Sequence, residues 1–268
     1  MGVRPLWHPG GPGSEAVDGL FAATTGPDRS VALAPRQVHA TRSLRVLPSK
    51  PDCTLCELHS QGARSVCVPT THMLGSQDPQ PSSIPLFVLG MNPGIHEDKR
   101  NLPFVGPSGR MVRETYFGGE NSLASKTCIY LGNAVRCWTP LAAQPKAKHY
   151  DACWSHTAED LELIWNAHGK QRTNILCLGV QAAKSALKSL CGSKARNFSR
   201  ILDSQGLPSL CDRYSLYFTF HPAAVLRNGN LIYAVADHLS ILSAAIDGQR
   251  PIPSNPRVVP ARAPRTLR

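Results

Sequence analysis

The stretch Leu86–Gly109, LFVLGMNPGIHEDKRNLPFVGPSG, carries the organisation of the chain. Leu86 to Leu89 is a short apolar, β-compatible run, which reads as a buried strand. The strand stops at Gly90, and Pro93-Gly94 turn the chain sharply. A polar loop follows, then Pro103-Phe104-Val105-Gly106, then a helix from about Ser108 to Phe117 opened by Pro107 and Ser108. A strand that ends in Gly-Met-Asn-Pro-Gly leaves Asn92 at the carboxyl end of a sheet, where open α/β folds place their ligands. The same pattern also describes an ordinary strand–turn–helix connection that binds nothing.

Working outward, three more apolar runs read as strands: Cys128–Asn133, Asn174–Gly179 and Leu216–Phe220. Helical patterns lie between and after them, at His156–His168, Val180–Leu190 and Leu231–Ile246. Strands alternating with helices predict an α/β fold with a parallel sheet covered on both faces. Cys67 to Pro85 is expected to be a polar connector, and Thr139 to Lys148 a loop presenting Lys146, Lys148 and His149. Lys194, Arg196 and Arg200 flank a further loop. Residues 1–46 form an arm rich in Gly, Pro, Ser and Arg, in which Arg36, Arg42 and Arg45 could reach phosphates. Residues 47–248 make one domain, and 249–268 a Pro/Arg-rich basic tail.

The formal charge of +11, of which the tail's five arginines supply +5, suits a polyanionic partner such as DNA. No apolar run approaches the ~20 residues of a membrane span, and the N-terminus lacks a signal-peptide core, so a cytoplasmic protein is expected. Nine cysteines in such a compartment point to metal ligation or buried thiols before disulfides. Cys53-Thr-Leu-Cys56 alone is compatible with zinc, a redox pair or one edge of a cluster. Cys128 and Cys177 sit in apolar runs and read as small core residues.

The stretch Gly90–Gly109 resembles the first motif of the uracil-DNA glycosylase superfamily. It is most similar to the iron–sulfur branch, family 4, whose members read Gly-Glu-Ala-Pro-Gly, an acidic loop ending Glu-Asp, then Pro-Phe-Val-Gly-x-Ala/Ser-Gly. Glu97-Asp98 and Pro103–Gly109 fit that spacing without a gap. Met91 and Asn92 stand where that branch has Glu and Ala. Gly-Met-Asn-Pro-Gly looks instead like the single-strand-selective and mismatch-specific branches, where the Asn positions the attacking water. His221-Pro-Ala-Ala-Val-Leu-Arg227 resembles the superfamily's second motif.

The resemblance implies a three-layer α/β/α sandwich around a central four-stranded parallel sheet. It implies a monofunctional glycosylase that flips a base out of DNA, hydrolyses its N-glycosidic bond and leaves an abasic site, as a hydrolase of base-excision repair. In that reading Asn92 orients water, and His221 stabilises the departing base. Phe104 stacks on the base, Asn133 reads its edge, and Glu97 stands near the pocket, with Asp98 expected in solvent. Leu226 would wedge the duplex from a loop, and Arg227 would hold phosphate. Cys53, Cys56, Cys137 and Cys153 match the branch's [4Fe–4S] ligands, with zinc the alternative metal. The protein is expected to act on DNA as a monomer, cytoplasmic and nucleoid-associated. The rival functions are excision of another modified pyrimidine in foreign (phage) DNA, a catalytically weak nucleic-acid binder, and a zinc-stabilised α/β domain with another role.

Overall fold

The computed structural model describes residues 45–119, 122–140, 143–192, 209–211 and 213–248. Arg36, Arg42, Lys194, Arg196, Arg200 and the basic tail lie outside the described residues. Of the expected arm, Arg45 and Val46 are described, and both are engaged. Val46 bridges Thr71, and Arg45 pairs with Asp78 at 2.7 Å on the surface.

Among the described residues six strands form one sheet: β1 (Thr71–His72), β2 (Ile84–Gly90), β3 (Thr127–Asn133), β4 (Thr173–Leu178), β5 (Ser209–Cys211) and β6 (Tyr214–Thr219). Their order is β1-β3-β2-β4-β6-β5. The four central strands are parallel, as expected. The outer two, β1 and β5, are short and antiparallel. The connector Cys67–Pro85 therefore contains a strand, too short for its pattern to stand out, made by pairing with β3.

Alternate residues of the parallel strands serve opposite layers, which is why these strands read as continuous apolar runs. Phe87, Leu89, Tyr130, Ile175 and Cys177 face one core layer. It is closed by α4 (Ala147–Ala167) and α5 (Val180–Cys191), through Leu161, Ile164, Ala182 and Ala186. Leu86, Val88, Ile129, Leu131 and Leu176 face the other layer. That layer is closed by α2 (Pro107–Met111) with its π-helical continuation Val112–Tyr116, by α3 (Leu123–Lys126) and by α7 (Leu231–Ile246). Two further short helices, α1 (Ile95–Arg100) and α6 (Pro222–Arg227), follow β2 and β6. The architecture is the three-layer α/β/α sandwich, and chain reversal on either side of β2 opens a crevice at the carboxyl ends of the strands.

Two loop expectations are corrected. α4 begins at Ala147, well before His156, and absorbs most of the anticipated basic loop's C-terminal end. His149 is buried there: its Nδ1 accepts the Lys146 backbone N–H at 3.0 Å, capping the helix, and its Nε2 meets Glu57 at 3.1 Å.

Beneath the sheet lies a buried polar chain. His168 Nδ1–H donates to the Ser83 carbonyl at 2.8 Å, which leaves Nε2 to accept from the Tyr130 hydroxyl at 2.9 Å. Burial lowers the pKa of His168, and likewise those of His72 and His238, below the ordinary 6.5. Depressed folded values mean that the unfolded chain takes up protons first. Stability is therefore full above about pH 7 and lost as pH falls through the histidine range. Denaturant unfolding at a series of pH values should show this fall between about pH 7 and about pH 5. His168→Gln should shallow the slope, whatever it costs in overall stability.

Candidate active site

A cleft of about 260 Å³ opens at the carboxyl end of the sheet, lined by residues that follow three different strands. Asn92, Glu97 and Phe104 come after β2, Asn133 ends β3, and His221 follows β6. Five of the expected site residues, far apart in sequence, thus meet in one place.

The floor is built by close approach to glycine. A Cβ on Gly90 would collide with the Asn133 amide oxygen and lie 2.7 Å from Phe104 Cζ. The bare backbone of Gly90 therefore lets both side chains lie over the end of β2. Phe104 itself has φ +54, a left-handed conformation that costs a non-glycine residue energy. It is held there because Arg113 donates to its carbonyl, and because Gly109 on α2 presses against its backbone with no room for a Cβ. The motif Pro-Phe-Val-Gly-Pro-Ser-Gly is a device for presenting one aromatic ring.

Glu97 is the clamp of this loop. One carboxylate oxygen accepts the Gly94 N–H at 3.1 Å, and the other the Gly106 N–H at 2.7 Å. Asp98, expected in solvent, is buried: it accepts the N–H groups of Arg64 and Ser65, each at 2.9 Å, and so fastens the N-terminal segment to α1. Its sequence neighbourhood is polar, but the Arg64–Ser65 backbone folds over it, which no local pattern reveals.

Asn92 is oriented by a residue that sequence reasoning missed. Its Nδ2 donates to Thr139 Oγ1 at 3.3 Å and to the Pro93 carbonyl at 3.2 Å, and Thr139 in turn donates to the Ala143 carbonyl at 2.9 Å. With the NH₂ group tied down, the amide oxygen is the part of Asn92 left for the cleft. Nothing in the sequence marks Thr139, in a proline-rich loop, as a partner of Asn92. Met91 turns away into the core layer under α4 and α5. His96, which carried no sequence signal, and Ser108 of the Pro-Phe-Val-Gly-Pro-Ser-Gly motif also line the cleft.

His221 is the N-cap of α6, followed by Pro222 at the first helical position. Its Nδ1 accepts the Ala223 N–H at 3.1 Å. That contact requires an unprotonated Nδ1, so the neutral ring carries its proton on Nε2. Burial, with help from the Arg227 charge, lowers the His221 pKa and favours this neutral donor. Leu226 and Arg227, anticipated on a loop, are instead the exposed last residues of α6, because His221-Pro222 starts a helix at once. At about 1.5 Å per residue the helix carries Leu226 only about 7–8 Å along from His221.

Of the expected cysteines, Cys137 and Cys153 belong to one core layer, Cys56 packs against it, and Cys53 Sγ lies 3.2 Å from His156 Nε2 on α4. The Cys53–Cys56 turn is fastened to α4 by Lys50–Glu159 at 2.8 Å and by the contacts of Glu57 with Lys148 and His149. Lys148, and behind it His149, hold the Glu57 carboxyl down at about 2. Burial pushes the bare thiol of Cys153 up to about 12 and that of Cys137 to about 11. Four cysteine thiols, two of them buried, are a donor set of the kind that holds a soft metal group. Among the described residues no three His, Cys, Asp or Glu side chains close round a single metal ion.

With this geometry in hand, the comparisons are specific. The model of the uracil DNA glycosylase superfamily matches residues 78–238. The chain belongs to that superfamily. It is 28% identical to the type-4 uracil-DNA glycosylase of Sulfurisphaera tokodaii over 151 residues, which cover 54% of this chain and 63% of that protein, less than two thirds of its length. It is 26% identical to the type-4 enzymes of Thermotoga maritima and Archaeoglobus fulgidus, covering 66% and 65% of this chain and 79% and 78% of theirs.

In this superfamily member, the clamp and the close approach have measurable consequences. Glu97→Ala would leave two backbone N–H groups without their acceptor, at about 1–3 kcal/mol each. Gly109→Ala would overpack α2 against Phe104, at about 1–3 kcal/mol. Both should lower the unfolding midpoint in calorimetry. An unchanged midpoint in Glu97→Ala would return that carboxylate to a purely ligand-facing role.

Proposed function

We propose that the protein is a monofunctional DNA glycosylase that excises uracil or a related base. The observation that carries this reading is the convergence of Asn92, Phe104, Asn133 and His221 in one cleft with their polar atoms already oriented. A base removed from the stack would lie against the Phe104 ring. The Asn133 amide offers a donor and an acceptor together, matching the O4/N3–H edge of uracil.

Hydrolysis of the N-glycosidic bond sends an electron pair onto the base, and negative charge develops at O2. The neutral His221 ring, with Nδ1 occupied by Ala223, directs Nε2–H at that oxygen. A donor aimed at charge that forms only in the transition state accelerates the step without tightening ground-state binding. Water enters from the Asn92 side, held by the amide oxygen. An amide cannot take its proton, and Glu97 is the one carboxylate in the cleft's described lining, with both oxygens engaged by backbone N–H groups. The enzyme therefore works by anion stabilisation and orientation, without the ~10²–10⁴-fold of a general base. No lysine lines the cleft among the described residues, which supports hydrolysis to an abasic site over amine-mediated strand cleavage.

Exposed Lys99 and Arg100 on α1, Arg110 on α2 and Arg227 on α6 would hold duplex phosphates, with Leu226, next to Arg227 in sequence, filling the gap left by the base. The enzyme would act as a monomer on DNA in the cytoplasm, at the nucleoid; no described helix is long and apolar enough to cross a membrane. The domain at 47–248 would do the chemistry, with the arm and tail outside it. Cys53, Cys56, Cys137 and Cys153 would hold a [4Fe–4S] cluster. Zinc, held tetrahedrally by the same four thiolates, is the alternative. The cluster would act structurally, as a staple between the N-terminal segment, the loop after β3 and α4.

Three measurements test this reading. Oligonucleotides carrying different bases, treated with enzyme and then alkali, should be cut where uracil stands; cutting only at a bulkier pyrimidine would transfer the function to modified foreign DNA. In single-turnover excision, His221→Ala should lose about 10²–10³-fold with little change in affinity for a non-cleavable analogue. Asn92→Ala should also be slow, and Thr139→Val, which frees the Asn92 amide to rotate, should lose about 10-fold or more, as misoriented reactants do. Parent rates in both His221→Ala and Asn92→Ala would exclude this cleft. Finally, serine at any of the four cysteines should lower bound iron, while Cys177→Ser should not.

A further inference from the structure

The histidine His156 lies one turn beyond Cys153 on α4, so both project from the same side of the helix. It is 8% exposed, and its Nε2 stands 3.2 Å from Cys53 Sγ. Its other nitrogen, Nδ1, is buried and has no hydrogen-bond partner among the described residues. The ring is therefore not oriented by any contact at Nδ1. The contact that orients it is the one with the Cys53 sulfur.

We infer that His156 donates a hydrogen bond from Nε2–H to the Cys53 thiolate and thereby tunes the cluster proposed above, on whose presence this inference rests. In the bare protein either partner could supply the proton. A sulfur that ligates metal has lost its proton, so only N–H···S remains. Cys53 and Cys56 are part-buried, whereas Cys137 and Cys153 are buried. Cys137 receives a comparable bond from the Cys67 backbone N–H at 3.5 Å, and Cys153 one from the Arg136 backbone. An N–H donated to a ligating sulfur draws off negative charge and favours the cluster state with one more electron, raising the reduction potential. His156 is thus a positioning and tuning residue, acting through Cys53 and not on DNA.

The test uses the full-length holoprotein and two variants, His156→Phe, which fills the space without an N–H, and His156→Gln, which keeps one. Iron per chain is measured first, then the midpoint potential by spectroelectrochemical titration with electron paramagnetic resonance of the paramagnetic state. The expected result is parent iron content in both variants, a more negative potential in His156→Phe, and an intermediate one in His156→Gln. Equal potentials in the parent and His156→Phe, with iron retained, overturn the inference. Loss of iron from both variants overturns it too, since His156 would then be a ligand or a necessity of folding. A parent protein without iron refutes the cluster reading itself, and iron content alone tells that failure from the others.

Discussion

Arg136 is 1% exposed, and it ties the end of β3 that carries Asn133 to α4 and to the N-terminal segment. Its Nε donates to the Asn133 carbonyl at 2.9 Å, and its Nη2 pairs with Asp160 of α4 at 2.5 Å, with Thr157 at 3.5 Å. Its own carbonyl accepts the Val68 N–H at 2.9 Å, bringing in the N-terminal segment. Leaving a buried charge without its partner typically costs about 3–5 kcal/mol, so these elements cannot separate cheaply. The residue that would read the base and the helix that would carry a cluster ligand are thus two ends of one hydrogen-bonded assembly. This gives a physical reason for a structural cluster in such an enzyme: what anchors α4 also anchors Asn133.

The other face of the cleft is organised by close backbone approach. Gly90 admits the Asn133 amide and the Phe104 ring over the end of β2, and Gly109 admits the Phe104 backbone against α2. Glu97 closes the same loop through two backbone N–H groups. Strain at Phe104, with its positive φ, is held by these contacts and by Arg113. A ring held so tightly loses little freedom when a base stacks on it, which is how preorganisation favours recognition.

Charge placement follows the same economy. The cleft holds a neutral histidine donor and two amides, and its one described carboxylate is already engaged. In the proposed reaction such a site would stabilise a leaving anion without setting a bare negative charge beside it. The departure from the type-4 pattern at Met91 fits this arrangement, because that side chain packs into the core and the neighbouring Asn92 faces the cleft.

Much of this was legible from order along the chain. Apolar runs ending in Gly90, Asn133 and Gly179 mark strand termini, and covering both faces of a parallel sheet demands such runs, so the layers follow from periodicity alone. Asn92, Phe104, Asn133 and His221 could be named because the short motifs that carry them, each following or ending a strand, resemble those of the superfamily. The roles of Glu97 and Asp98 could not, since a carboxylate in a polar loop looks alike in solvent or clamped on backbone N–H groups. Thr139 and His156 were invisible for a related reason: their partners, Asn92 and Cys53, lie 47 and 103 residues away, and only the packed fold brings them together. Local sequence determined which residues end the strands and open the helices. Tertiary structure alone decided which polar atoms those residues would meet, because hydrogen bonds between distant segments depend on how the layers close and not on any local period.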